Sequence, residues 1–433
     1  MVPPLATAQI HPTSSMHERH QGRHGMRTDA RRAVLVLLHR WLGLGSALFL
    51  FIAGATGAVI SWDHELDEWL NPGLYEAPVS GTMLGPLELA ARLEQADPRI
   101  RVTFMPLAVE PGRAFTVFVS PRLSPSTGQP YEPGYNQVAL DPGSGEVLAR
   151  REWGKVSLSR ENLLPFLYKL HYSMHIPDGG GVQLGIWFMG LVAMVWVFDT
   201  LVALALALPR RERWQRAFAF RFGSAHKLTF DLHRSGAMWV YLLVLMSAVT
   251  SVAMNLREQL VRPAVGLFSE LTPSPFATRR PLNPPAEPAV GPRQVVKAAM
   301  QQARQLGIQA PAGGLFLSPE LGLWGVGFYA PEASHGDGGL GNPWLYFDAR
   351  TGKPAGRDIP GTGSAGDLFL QSMFPLHSGR ILGLPGRVLM SALGAMVAML
   401  SVTGVLIWAR KRAARSHAAK ASQSRRGLAL GAG

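Results

Sequence analysis

The run from Ser235 to Leu256 carries no charged side chain over 22 residues. As a helix it is long enough to cross the ~30 Å hydrocarbon core of a bilayer. A bilayer leaves few alternatives to a helix there, because the backbone polar groups must be satisfied inside the segment. Asp231, His233 and Arg234 stand just ahead of this run, and an earlier stretch, Leu37 to Trp62, places His39 and Arg40 ahead of its own uncharged run. Two further charge-poor runs follow, Val182 to Leu208, interrupted by Asp199, and Val388 to Ala409. Four transmembrane helices are therefore expected. The first hydrophobic run exceeds a signal-peptide core and has no small-residue cleavage site after it, so it is expected to stay as an anchor.

Charge gives the spans a direction. The formal charge is +13, which by itself would suit a nucleic-acid partner, but three segments hold the excess. Residues 1–40 carry six Arg against two acids, 209–234 seven Lys/Arg against two, and 409–433 seven against none, so 20 − 4 = +16 and the remainder sums to 13 − 16 = −3. Basic segments separated by hydrophobic spans follow the positive-inside pattern rather than a nucleic-acid face. Both termini and the 209–234 loop are expected on the cytoplasmic side of a bacterial inner membrane, with two long connections on the opposite, periplasm-like side. The chain has no Cys, which excludes disulfides, iron–sulfur clusters, Cys-bound zinc and a Cys nucleophile. No phosphate loop, dinucleotide fingerprint or nucleophile elbow is present, so a flavin or nicotinamide would have to come with a partner.

The two connections resemble each other. Each leads into a short amphipathic helix, Pro86 to Pro98 and Pro292 to Gly307, then into alternating stretches (RVTFMPLAVE and RAFTVFVSP; GGLFLSP and LWGVGFYAP) that read as strands. Each closes on a hairpin, with Asp141 to Gly145 at one turn and Asp348 to Gly352 at the other. A Leu-His pair, Leu170-His171 or Leu376-His377, then precedes glycines and a span. The chain thus reads as two parallel helix–module–helix repeats, each with an α+β module. The expected divisions are a disordered basic tail at 1–33, spans at 34–62 and 235–256, outer modules at 65–165 and 257–370, His-bearing segments with spans at 166–208 and 371–409, a basic loop at 209–234 and a basic tail at 410–433. His11, His17, His20 and His24 are read as part of the solvated tail, not as a metal site.

Four histidines hold matching places in the repeats. His39 and His233 stand at the inner mouths of the first and third spans, and His171 and His377 at the outer mouths of the second and fourth, in the spans or on short interfacial helices ahead of them. Ionisable residues at membrane depth commonly mark function. Two imidazoles on opposing helices suit bis-His ligation of a haem iron, and two such sites would carry electrons across the membrane. The plainer reading is four interfacial polar anchors. Arg40, Arg234 and Arg380 could pair with haem propionates, although positive-inside charge equally accounts for the first two. His175 lies four residues after His171, on one helical face with it, and could replace it as ligand or serve substrate. Asp199 could orient an inner histidine, relay protons or make a structural hydrogen bond. Trp187, Trp196, Phe198 and Trp239 could line haem slots or simply pack between helices. His64 and His226 are read as surface polar groups.

The stretches LHRWLGL at His39, VWVFDTLVALALALPRR around Asp199, FDLHRSGAMW around His233, and PLHSGRILGLPGR with VTGVLIWARKR resemble the PepSY-associated transmembrane proteins, often described as iron-regulated membrane proteins, over residues 33–412. That family includes ferric-siderophore reductases. The resemblance implies PepSY-like outer modules and haem b, two per chain, with the family's transmembrane histidines falling on His39, His171, His233 and His377. It further implies delivery of electrons from a cytoplasmic or quinol donor to a ferric siderophore. Span two departs from the pattern, since Asp199 and Leu-Pro-Arg-Arg replace the Thr403-Gly404…Trp408 ending of span four. The other functions left open are a PepSY-module protein that binds or regulates a periplasmic partner, and a metal-chelate transporter.

Overall fold

The computed structural model describes residues 15–79, 81–208, 211–334, 336 and 338–430. His11 and the side chains of His17, His20 and His24 lie outside the described set. The helices in chain order are α1 (Ser15–Ile60), α2 (Asp63–Leu70), α3 (Pro86–Ala96), α4 (Leu163–Ser173), α5 (Leu184–Ala207), α6 (Ala225–Trp239), α7 (Tyr241–Asn255), α8 (Arg262–Gly266), α9 (Pro275–Thr278), α10 (Pro292–Gln305), α11 (Ala365–Ser378) and α12 (Leu384–Leu430). The strands are β1 (Ile100–Pro106), β2 (Phe115–Pro121), β3 (Gln137–Leu140), β4 (Val147–Arg151), β5 (Ala312–Ser318), β6 (Leu323–Phe328), β7 (Trp344–Asp348) and β8 (Pro354–Asp358). The chain divides into two units. One comprises Met1–Leu48, Val195–Tyr241 and Leu400–Gly433, and the other Phe49–Met194 and Leu242–Met399.

Among the described residues three helical segments are long and apolar enough to cross a membrane, namely Ala30–Ile60, Leu184–Ala207 and Leu384–Ala419. α6 and α7 pass that test only when taken together, because the chain bends between them at Val240. The expected single helix at 235–256 is therefore two helices. α6 follows the loop before it: Ser235 Oγ donates to Ala219 O at 2.8 Å, Trp239 Nε1 to Phe218 O at 3.1 Å, and Arg221 clamps the fully buried Asp231 with two side-chain bonds of 2.8 Å. α7 is mostly apolar and makes no such bond to that loop among the described residues. A second departure lies at the N-terminus, where residues 15–33, expected as disordered tail, are helical within α1.

The two long connections do not make separate modules. Their strands form one eight-stranded sheet, in the order β4-β3-β2-β1-β5-β6-β7-β8. Each connection supplies a four-strand antiparallel meander, and the halves join where β1 pairs antiparallel with β5, Phe104 opposite Phe316 and Met105 opposite Leu315. Joining the first strands removes two open edges, which would otherwise invite pairing with other chains. One face carries both amphipathic helices. Leu89 and Leu93 of α3 share a single core with Val295, Ala299 and Ala303 of α10, over Val117, Val138, Leu315, Val326 and Phe347 of the sheet. α2 is locked to β4 by a buried pair, Arg151 donating to both oxygens of Asp67 at 3.0 and 2.6 Å.

The two hairpins have the expected turns. Gly145 N donates to Asp141 O and Gly352 N to Asp348 O, both at 2.8 Å, with the glycines at φ +80° and +70° where other residues would be strained. Burial pushes the Asp348 carboxyl up, but bonds from the Thr351 amide and hydroxyl, the Arg279 guanidinium and the Arg350 amide outweigh it and hold it at about 2. A carboxylate with a depressed native value adds stability that is whole above its unfolded value of about 4 and fades as pH falls through the native one. Asp348→Asn is therefore expected to lower the chemical-denaturation midpoint of the sheet at pH 7, with the difference from wild type closing between about pH 4 and pH 2. A difference that persists unchanged to pH 2 would contradict this origin.

Candidate functional site

The fold brings the four histidines together as two pairs. His39 of α1 faces His233 of α6 with ring centres 6.0 Å apart, both in the first unit. His171 of α4 faces His377 of α11 at 6.1 Å, both in the second. His171 and His377 sit on short helices ahead of α5 and α12, not within them.

Every one of these rings is held by Nδ1. His39 Nδ1 meets Asp199 Oδ1 at 2.9 Å. His233 Nδ1 donates to Leu400 O at 3.0 Å and to Thr403 Oγ1 at 3.2 Å. His171 Nδ1 donates to Ala53 O at 2.9 Å and to Thr56 Oγ1 at 3.2 Å. His377 Nδ1 meets Thr250 Oγ1 at 3.1 Å. The three threonine hydroxyls spend their own protons on helix carbonyls, Ile52, Met246 and Leu400, so they accept from the imidazoles. With the proton fixed on Nδ1, the lone pair is on Nε2, which makes no hydrogen bond among the described residues in any of the four. This is the way ligating histidines are usually supported, by a donor bond from the nitrogen that does not bind the metal.

The supports obey the internal repeat. Thr56 lies 56 − 39 = 17 residues after His39 and Thr250 lies 250 − 233 = 17 after His233, and each seats the later histidine of its own repeat. Asp199 and Thr403 follow His171 and His377 by 28 and 26 residues and seat the earlier histidine of their repeats. Pairing then runs between repeats. Two glycines make room for the rings. A Cβ at Gly57 would stand 2.9 Å from His171 Cε1, and one at Gly404 would stand 3.0 Å from His233 Cε1.

Two nitrogens per site are too few to enclose a bare ion, and no group of three or more His, Cys, Asp or Glu among the described residues could hold one. They suit an iron whose equatorial positions are already filled. An imidazole nitrogen binds such a metal at about 2 Å with the ring centre about 1 Å further back, so two imidazoles across one iron have centres about 6 Å apart. Both pairs meet that spacing. The rings are tilted at 45° and 55° rather than stacked.

Arg40 and Arg234 follow His39 and His233, and the Nε of each is buried without a hydrogen-bond partner among the described residues. Buried orphan donors are rare in native proteins and point to a missing acceptor. Arg234 otherwise reaches Arg216 O at 2.5 Å, and Arg40 lies over the Trp41 ring. Arg380 approaches Asp63 at 3.9 Å. His175 does not share a helical face with His171. α4 ends at Ser173, Met174 and His175 turn left-handed at φ +53° and +52°, and His175 stacks on Phe166 and bonds its carbonyl at 2.9 Å. Trp187, Phe198 and Trp239 are exposed, and none of the four aromatics proposed as slot linings makes a ring contact with the paired histidines among the described residues.

Thr56, Gly57, Thr250 and Gly404 are parts of the site that the histidine pattern does not reveal. For Thr56-Gly57 and Thr403-Gly404 the signal was available as a repeated Thr-Gly within an apolar helix, GATGAV and SVTGVL, whereas Thr250 is followed by Ser251 and lies outside that pattern. The family model of the PepSY-associated TM region matches residues 36–411, a span that holds all four histidines and their seats. No curated protein matches the chain.

Proposed function

Since the chain belongs to the family of the PepSY-associated TM region, we propose that it is a haem-bearing electron carrier of a bacterial inner membrane that reduces a ferric siderophore on the outer side. The observation that carries this reading is the pair of bis-His sites, with ring centres at 6.0 and 6.1 Å and every Nδ1 held by an oxygen. His39 and His233 would hold one haem b and His171 and His377 the other. Bound there, haem supplies one-electron Fe(III)/Fe(II) exchange with no need for a proton or a leaving group.

The chain's own residues do the rest. Asp199, Thr403, Thr56 and Thr250 fix the tautomer and hold each imidazole ring in place. Arg40 and Arg234, whose Nε donors are buried without a partner among the described residues, would supply positive charge to haem propionates. The basic segments at 1–40, 209–234 and 409–433 favour a cytoplasmic position for the His39/His233 pair. A cytoplasmic or quinol donor would load that site, and each electron passed outward converts one chelated Fe(III) to Fe(II). Fe(II) is held less tightly by hard oxygen ligands, which frees it from the chelate.

Purification in detergent from haem-replete cells is expected to give the Soret and α bands of b-type haem in a reduced-minus-oxidised spectrum, at two haems per chain. Reduced protein mixed with ferrioxamine B should reoxidise while an Fe(II) chromophore develops. A protein without those bands sinks the electron-transfer reading, and bands that ferrioxamine B does not reoxidise sink the choice of acceptor.

A further inference from the structure

The four histidine seats are equivalent by the repeat but not by chemistry. Three of them present a threonine hydroxyl to Nδ1, at Thr56, Thr250 and Thr403. The fourth presents a carboxylate, Asp199, with only 12% of its side chain exposed. Gly43, one turn beyond His39 on α1, lies beside it: a Cβ there would meet Asp199 Oδ2 at an ordinary contact distance of 3.7 Å. Thr200, the next residue, turns its hydroxyl to Trp196 O and offers no substitute.

A carboxylate that accepts the Nδ1 proton draws it away from the ring and makes Nε2 a stronger donor to a metal. It also adds a fixed negative charge close to the ligand. Both effects favour the ferric over the ferrous state and so lower a reduction potential. A hydroxyl or a backbone carbonyl does this far more weakly. We propose that Asp199 makes the His39/His233 site the lower-potential of the two, so that transfer toward the His171/His377 site is downhill. The step is one electron: the iron held by His39 and His233 is oxidised from Fe(II) to Fe(III) as the iron held by His171 and His377 is reduced from Fe(III) to Fe(II). The inference rests on the haem reading above and adds a direction that the histidine pairs alone do not contain. It also accounts for the departure of the second span from the Thr-Gly pattern.

Redox potentiometry on the full-length purified protein, read at the haem α band, tests it. The wild type is expected to titrate in two waves. His377→Ala removes one wave and so identifies the other as the inner site, which should be the lower. Asp199→Asn keeps an oxygen able to accept from Nδ1 while removing the charge. It is expected to raise the lower wave by at least a tenfold change in the reduction equilibrium, 59 mV for one electron, and to leave the upper wave in place. Asp199→Glu should restore most of the wild-type value. Thr250→Asp, which puts a carboxylate at an equivalent outer seat, should lower the upper wave and tests the idea even if Asp199→Asn binds no haem. The inference is overturned if the inner wave is the higher one, or if neither Asp199→Asn nor Thr250→Asp moves the wave assigned to it. Wild-type protein without b-type bands overturns the haem reading and this inference with it, whereas bands with unmoved waves overturn this inference alone.

Discussion

Alanine in place of His39 or of His233 is expected, on the haem reading proposed above, to remove one half of the bound haem and leave the spectrum of the other half unchanged. Alanine at His171 or His377 should remove the complementary half. The expectation follows from geometry: the ring centres of each pair stand at the spacing two imidazoles on one metal would take, 6.0 Å in one pair and 6.1 Å in the other. On the proposed haem reading, loss of one ligating imidazole would leave the site with a single histidine, so its occupancy should fall more than about a hundredfold, beyond the roughly 10–100-fold usual for a supporting residue. Within a pair the losses should not add, because either substitution already abolishes the same site. His39→Ala/His233→Ala should therefore look like either single change, whereas His39→Ala/His171→Ala should be colourless. Gly57→Val and Gly404→Val give the same two phenotypes without touching a ligand, since their side chains would occupy the space of the His171 and His233 rings. Haem quantification by pyridine haemochromogen, with circular dichroism to verify folding, reads all of these. If His39→Ala and His171→Ala deplete one and the same absorbing species, the pairing is wrong.

The pairing was legible in the sequence because duplication wrote it twice. Four histidines at matching places, with basic segments that order the spans, restrict which two can meet. The hairpins were legible for a local reason, as Asp141 to Gly145 and Asp348 to Gly352 carry their turn chemistry within five residues. What the sequence hid depends on contacts made at a distance. The break at Val240 falls inside an unbroken apolar run, and the bonds that hold α6 off the line of α7 come from the carbonyls of Phe218 and Ala219. The junction of the two halves is a β1–β5 pairing across some two hundred residues of chain, and alternation cannot name a strand's partner. His175 was misjudged because helical spacing was carried past Ser173, where two non-glycine residues turn left-handed. The threonine seats lay in view but without contrast, since a threonine in an apolar helix ordinarily bonds its own chain, as Thr56 and Thr250 also do.

The largest stability effect is expected at Gly54 and Gly394, where α1 and α12 touch backbone to backbone. A Cβ on Gly54 would lie 2.6 Å from Gly394 O and 3.0 Å from Ala398 N, and a Cβ on Gly394 would lie 2.6 Å from Gly54 O and 2.9 Å from Ala58 N. Gly54 and Ala58 on one helix, with Gly394 and Ala398 on the other, form facing small-x-x-x-small ridges of the kind that let membrane helices approach closely. The same seam continues through polar groups. Ser391 Oγ donates to Ala58 O at 2.7 Å, and Arg387 donates to Ser61 O at 2.8 Å and to Glu65 at 2.7 Å. Arg387, Ser391, Gly394 and Ala398 recur at helical spacing, so the contact is one continuous face of α12. Because the atoms in the way are backbone, no rotamer change relieves them and the helices must separate. Overpacking of this kind costs about 1–3 kcal/mol for a methyl-sized intrusion and more for a branched chain. Gly54→Ala and Gly394→Ala should each lower the thermal midpoint of the purified protein clearly, and Gly54→Ile should abolish monodisperse protein on size exclusion. Gly45→Ala is the control, since nothing lies within 4 Å of a Cβ there. The effect should also be selective. Gly54 adjoins Ala53, whose carbonyl holds His171, so Gly54→Ala is expected to empty the His171/His377 site before any loss at His39/His233. Wild-type midpoints for both alanine variants would mean that α1 and α12 do not meet on this face.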